Sequence, residues 1–181
     1  MTTIAADITP RVWIGSLRKY NEGYLVGHWF DALGADEVTP SDVFRGSGFT
    51  PTNDEELWVF DHENIPVPGE MSPHDAAQWG RVFDECEEHL RDALHAWVAA
   101  GDYIAEGTSD LPVLSDFQDR YCGCWESFDD YARELADDTG MFSGIPEEIA
   151  RHFDWASWTR ELAWDYTTCE ADGGVHIFRS H

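Results

Sequence analysis

Thirty-six aspartates and glutamates stand against eleven lysines and arginines in this 181-residue chain, so any fold it adopts must hold a formal charge of −25. Self-repulsion on that scale opposes compaction. The sequence must therefore supply strong burial to overcome it, and a use that justifies it. Burial is available: apolar residues make up 43% of the chain, with nine Trp, ten Phe and six Tyr. That is enough for real cores and argues against general disorder. The length suits one large domain or two or three small ones.

The acidity is concentrated. Residues 1–30 carry two acids and three bases, residues 31–140 carry 27 acids and five bases, and residues 141–181 carry seven acids and three bases. Lys19 is the single lysine. A surface this negative repels nucleic acid and attracts basic surfaces, one of which is the groove of a DNA-binding protein. Adaptation to high salt also produces Asp-rich, Lys-poor chains, although the heavy Trp and Phe content leans against it. No apolar run approaches a membrane span. Residues 1–7 lack the basic and apolar regions of a signal peptide. A cytoplasmic location without a membrane partner is expected. Cys86, Cys122, Cys124 and Cys169 form neither a secreted disulfide framework nor a paired metal pattern, so reduced thiols are expected.

Along the chain, residues 11–15, 25–31 and 57–60 read as strands, with Tyr20-Asn21-Glu22-Gly23 as turn chemistry between the first two. A short helix is expected to start at Thr39-Pro40 or Ser41 and run through Phe44, with a Pro- and Gly-rich boundary over residues 64–73. Val82, Cys86, Leu90, Leu94 and Trp97 recur at helical spacing and predict one helix over 81–98, stopped by Gly101. A second boundary falls at residues 107–111, and a helix from 112 or 113 to 120 follows. Ser127-Phe128-Asp129-Asp130 opens another helix in the manner of a capping box, ended by Gly140. Shorter helices start at Pro146 and Asp154, the second reaching about Leu162. Strands over 164–169 and 175–178 close a hairpin at Asp172-Gly173-Gly174. The class is α+β: an N-terminal antiparallel sheet with a short helix (1–68), a central helical segment (69–108), and C-terminal helices with an antiparallel hairpin (109–181). Trp13, Trp29, Trp58, Trp97, Trp155, Trp158 and Trp164 are expected in cores, with Trp79 and Trp125 partly exposed.

Two rows of carboxylates stand out. Asp84, Glu88 and Asp92 lie at i, i+4 and i+8 of the first long helix, and Asp130, Glu134 and Asp138 do the same on the second. Four residues of helix rise about 6 Å, close to the spacing of neighbouring phosphates on a DNA strand. Like charges at that spacing destabilise a helix by roughly 0.2–0.5 kcal/mol each. Asp137 and Asp138 also sit at the wrong end of the helix dipole. A solvated acidic face is the plain alternative, weighed against two such rows in so lopsided a chain. Twenty-five charges match roughly 40 Å of duplex at one charge per about 1.7 Å of axis.

An enzyme is the rival class. Asp61-His62-Glu63 are adjacent, and neighbours on a strand point to opposite faces. Three residues before His89 stands Cys86, and three before His95 stands Asp92, so the Glu-x-x-His pattern of a dinuclear carboxylate site is absent. His28 and His176 lie on apolar strands and read as partly buried structural residues. Nucleophile-elbow, P-loop and dinucleotide fingerprints are missing. No catalytic residue, metal or cofactor is expected.

Thr9-Pro10-Arg11-Val12-Trp13-Ile14-Gly15, Tyr20-Asn21-Glu22-Gly23 and Gly27-His28-Trp29-Phe30-Asp31 together resemble the opening of ArdA antirestriction proteins. Glu56-Leu57-Trp58-Val59-Phe60-Asp61 resembles their next strand. The stretch 117–138, with Tyr121-Cys122-Gly123 and Ser127-Phe128-Asp129-Asp130-Tyr131-Ala132, resembles their acidic antirestriction segment. Residues 154–162 and Gly173-Gly174-Val175-His176-Ile177-Phe178 resemble their ending. The similarity implies an elongated protein of three small α/β pieces, dimerising mainly through its C-terminal part. It implies mimicry of B-form DNA and inhibition of type I restriction-modification enzymes at their DNA-specificity and methyltransferase core. The acidic surface expected to meet that partner comprises Asp36, Glu37, Asp42, Asp54, Glu55, Glu56, Asp84, Glu85, Glu88, Asp92, Asp116, Asp119, Glu126, Asp129, Asp130, Glu134, Asp137 and Asp138. The Pro-rich stretch 64–72, and Cys122 and Cys124, depart from the family pattern.

Overall fold

A computed structural model describes residues 8–107 and 109–180. They group into two compact units. One holds the described residues up to His95 together with Ala105–Leu114, and the other holds Ala96–Ile104 with the described residues from Ser115 onward. Each unit carries a three-stranded antiparallel sheet, as the expected α+β class requires.

In the first unit the strands are β1 (Arg11–Ser16), β2 (Gly27–Asp31) and β3 (Leu57–Glu63), in the order β2-β1-β3. The alternation in β1 sends Val12 and Ile14 fully inside. Ile14 lies opposite His28 on one side and Val59 on the other. A bulge between Trp13 and Ile14 shifts the register against β3. The segment expected as a turn after β1 begins instead with a short helix, α1 (Leu17–Asn21), because the Ser16 hydroxyl accepts from the Lys19 N–H at 3.0 Å. After β2, a 3₁₀ stretch (Ala32–Glu37) is capped by Asp31, and α2 (Pro40–Val43) begins in a capping box made by Thr39 and Asp42.

Helix α3 (Pro73–Glu85) starts eight residues earlier than the apolar periodicity indicated. Ser72 caps it and Pro73 occupies its first turn. Its inner face carries Ala76, Ala77, Trp79, Gly80 and Phe83, all buried. Trp79, expected near the surface, is therefore a core residue at 3% exposure. Gly80 is required by close approach: a Cβ there would meet the Leu33 backbone nitrogen at 2.3 Å and its Cα at 2.5 Å.

The continuous helix expected over 81–98 does not form. Helix α3 ends at Glu85, Cys86 and Glu87 are extended with ψ of 135°, and a 3₁₀ turn (Glu88–Leu90) leads into α4 (Arg91–Ala100). An unbroken helix would stack Asp84 on Glu88 and Glu85 on Glu88 within one turn, with no base between them. The break avoids this and buries Cys86 at 4% exposure. Asp84, Glu88 and Asp92 consequently do not form a row on one helix, although all three are exposed.

The second unit contains α5 (Leu114–Arg120) from Ser115 onward, β4 (Tyr121–Trp125), α6 (Phe128–Asp138), α7 (Glu147–Ala150) and α8 (Trp155–Leu162). A 3₁₀ turn (Ala163–Asp165) then leads into the hairpin β5 (Tyr166–Ala171) and β6 (Gly174–Arg179). The expected hairpin is present, and β4 joins it unannounced to give the order β4-β6-β5. The ladder skips between Tyr121 and Cys124, and Gly123 sits at φ +101°, a conformation open to glycine. Trp97 and Phe117, with no solvent exposure, pack their rings 5.6 Å apart, and Phe178 lies 6.1 Å from both. Trp164 departs most from expectation: it is 79% exposed, not core. Trp29, at 37%, and His28 are likewise exposed on β2, which is an edge strand of its sheet.

Candidate functional site

The acidic surface is best ordered on α6. Ser127 caps the helix: its hydroxyl accepts from the Asp130 N–H at 3.2 Å and donates to the Asp130 carboxylate at 2.5 Å. Tyr131, Ala132 and Ala136 are buried along one side. Asp129, Asp130, Arg133, Glu134, Asp137 and Asp138 are all exposed. At 3.6 residues per turn these six positions sweep roughly half of the helix circumference. The row Asp130, Glu134 and Asp138 therefore exists as read, on a face with one base. That base, Arg133, lies over the Trp155 ring, 4.7 Å from its centroid, in a cation–π contact that fixes where its charge sits.

Local structure explains some of these acids and not others. Asp129 and Asp130 favour the positive end of the helix dipole, and Asp130 completes the cap. Asp137 and Asp138 occupy the last turn, where each costs stability and no base accompanies them. Helix α3 repeats the pattern, closing on Asp84 and Glu85 with no base in its last turn. Both of the longest helices thus end in an exposed acidic pair that secondary structure disfavours.

Besides Asp130, four of the sequence-selected carboxylates have internal duties. Asp36 accepts from Arg81 at 2.5 Å, and this bond holds its carboxyl below the ordinary range. Asp42 serves the Thr39 capping box and pairs with Arg45 at 2.7 Å; the Thr39 hydrogen bonds hold it low as well. Asp116 accepts from Arg120 at 2.7 Å. Glu55 is the clear correction, because its side chain has no solvent exposure. It accepts from the Ser16 hydroxyl, from Arg18 at 3.0 Å and from the Thr52 N–H at 3.0 Å. Burial pushes its carboxyl up, but these donors outweigh burial and hold it at about 2. Glu55 braces α1 and β1 against the 52–56 loop and presents no charge to a partner. Glu37, Asp54, Glu56, Asp84, Glu85, Glu88, Asp92, Asp119 and Glu126 are exposed.

Two clusters were not anticipated. The single lysine is inside: Lys19, 9% exposed, donates to Glu22 at 2.6 Å, with its ammonium 4.2 Å from the centroid of Phe49. Under α6, burial together with Tyr166 and Cys122 pushes the Tyr131 hydroxyl well above its ordinary range. His176 is buried as expected, with Nδ1 3.0 Å from the Tyr121 hydroxyl. Among the described residues no three His, Cys, Asp or Glu side chains gather in a way that could hold a metal ion, and no helix is long and apolar enough to cross a membrane.

Fold and surface together define a class: a folded α+β protein that displays carboxylates on helices at a local cost. A family model described as antirestriction protein (ArdA) matches residues 12–176, and the chain belongs to the ArdA antirestriction family. No curated protein matches it.

Proposed function

We propose that this antirestriction protein acts as a mimic of B-form DNA, filling the DNA-binding groove of a type I restriction-modification enzyme. Restriction is inhibited competitively, and modification with it. The observation that carries this reading is the exposed carboxylate arc of α6, continued to the disfavoured pair Asp137 and Asp138. Basic side chains that normally hold phosphates would hold these carboxylates, with release of counterions on both sides. Carboxylates on a packed helix are already ordered, so less conformational freedom is lost on binding than with an acidic tail. In this reading the chain works as three pieces, 1–68, 69–108 and 109–181, the last carrying the acidic segment and the face on which two copies pair. Pairing doubles the length of duplex imitated. The exposed acids of the first unit supply further carboxylates, and this protein itself takes up neither nucleic acid nor cofactor. It would act in the cytoplasm, where its target works.

The test is a titration of purified protein into a type I enzyme at several salt concentrations, following duplex binding and cleavage together. Displacement of duplex in parallel with loss of cleavage is expected, weakening steeply as salt rises. Cleavage lost while duplex stays bound would sink the proposal. Glu134→Gln, Asp137→Asn and Asp138→Asn in one chain should weaken binding far more than any one change.

A further inference from the structure

Trp164 is the most exposed large apolar side chain among the described residues, at 79%. It stands in the 3₁₀ turn after α8 and leaves most of its surface to solvent. The rings of Trp155 and Trp158 pack with each other and with Phe153, at centroid distances of 5.1–5.9 Å. Among the described residues Trp164 makes no ring contact of its own. Its mount is nevertheless firm. Two residues on, Tyr166 opens β5 and packs 5.6 Å from Phe128 and 5.2 Å from Tyr131, both on α6. The Asp165 carbonyl accepts from the Ser180 N–H at 2.9 Å. Glu161 and Asp165, on either side of Trp164 in the chain, are exposed. Arg160, the nearest base in sequence, donates to Ser157 at 3.2 Å.

A flat aromatic group held out between two exposed carboxylates, Glu161 and Asp165, resembles a base turned out of a duplex backbone. Enzymes that methylate bases extrude the target nucleotide into a pocket, where it stacks between aromatic or apolar side chains. Modification by a restriction-modification system is such a methylation. We infer that Trp164 enters the pocket of the modification methyltransferase that receives the extruded base, flanked by basic side chains that take Glu161 and Asp165. This rests on the mimicry proposed above and adds a second kind of contact, apolar and local, to a field that is otherwise charged and spread out. A second copy of the chain suits Trp164 less well, since it too carries a formal charge of −25 and repels the exposed Glu161 and Asp165.

The experiment uses the full-length protein with Trp164→Ala and Trp164→Phe, and a DNA-free type I methyltransferase, scored by competition with a labelled duplex across a salt series. Circular dichroism melting checks the fold and sedimentation checks the assembly state. Trp164→Ala should weaken binding about tenfold or more, as an aromatic anchor does, and Trp164→Phe should restore most of it. The salt slope should be unchanged, because no charge is lost. Against a methyltransferase whose stacking aromatic is replaced by Ala, the Trp164→Ala effect should shrink below about threefold, as a double-mutant cycle requires of paired groups. Binding within about threefold of wild type would overturn the proposal, as would an equal loss against the altered pocket. A shift in assembly state would overturn it too, by assigning Trp164 to self-association. Failure of the mimicry reading is visible separately, as a wild-type protein that does not displace duplex or does so with a flat salt slope.

Discussion

Glu55 shows how one carboxylate in so acidic a chain can be spent on folding. With its side chain shut off from solvent and gripped by Ser16, Arg18 and Thr52, it is ionised in the folded state down to about 2. In the unfolded chain it takes up its proton near the ordinary Glu value. A folded-state value below the unfolded one adds stability that is fully present above the unfolded value and lost as pH falls toward 2. Glu55→Gln should therefore cost about 1–3 kcal/mol at neutral pH, as loss of charged hydrogen bonds at a buried site does. In urea denaturation the gap between variant and wild type should narrow steadily from about pH 4.5 downward. An equal gap at pH 3 and pH 7 would show that Glu55 is not held in this way. The sequence could not reveal this role: Glu55 sits in an Asp54-Glu55-Glu56 run, and only folding brings Ser16 and Arg18, 39 and 37 residues away, to its side.

At the scale of elements, α6 and α3 behave differently under the same pressure. Helix α6 keeps its acidic row intact to the last turn, so Asp137→Asn and Asp138→Asn should each stabilise the protein by about 0.3–1 kcal/mol at low salt while weakening binding to the restriction enzyme. Thermal melting and the competition titration measure the two directions in one pair of samples; a stability gain without loss of binding would remove those residues from the working surface. In α3 the limiting contact is Gly80 against Leu33. Gly80→Ala should cost about 3 kcal/mol, since the obstacle is backbone and cannot swing aside. The strands of the first sheet, the β5–β6 hairpin, the Ser127 cap and the α6 row were legible, because alternation, turn chemistry, capping and helical spacing are local. The break after Glu85 was not, since Val82, Cys86, Leu90 and Leu94 keep a four-residue spacing across it. Strand β4 was hidden by Gly123 between two cysteines, and its place depends on pairing with β6, which lies some fifty residues further on. Trp164 was misplaced for a similar reason: its apolar chemistry predicts burial, and nothing local marks the outward turn.

For the molecule as a whole, the excess of negative charge sets opposite trends for folding and for binding. Raising ionic strength from roughly 0.01 M to roughly 0.15 M shortens the screening length from about 30 Å to about 8 Å. Melting temperature should rise over that range as self-repulsion is screened, then level off, while affinity for the restriction enzyme falls. A melting temperature that keeps climbing into molar salt would point to salt adaptation in place of a displayed surface. A separate consequence follows from the cysteines. Cys86 and Cys169 are buried, and burial pushes both thiols up; Cys122 is half-buried, and Cys124 is the exposed one. Stored in air without reductant, two molecules could become joined through Cys124 into a covalent pair, and a sizing column would report a dimer that owes nothing to a natural interface. The same thiol, converted to Ser or capped with a dye, turns from a source of artefact into an addressable handle on β4, two residues from the start of the loop that leads into α6.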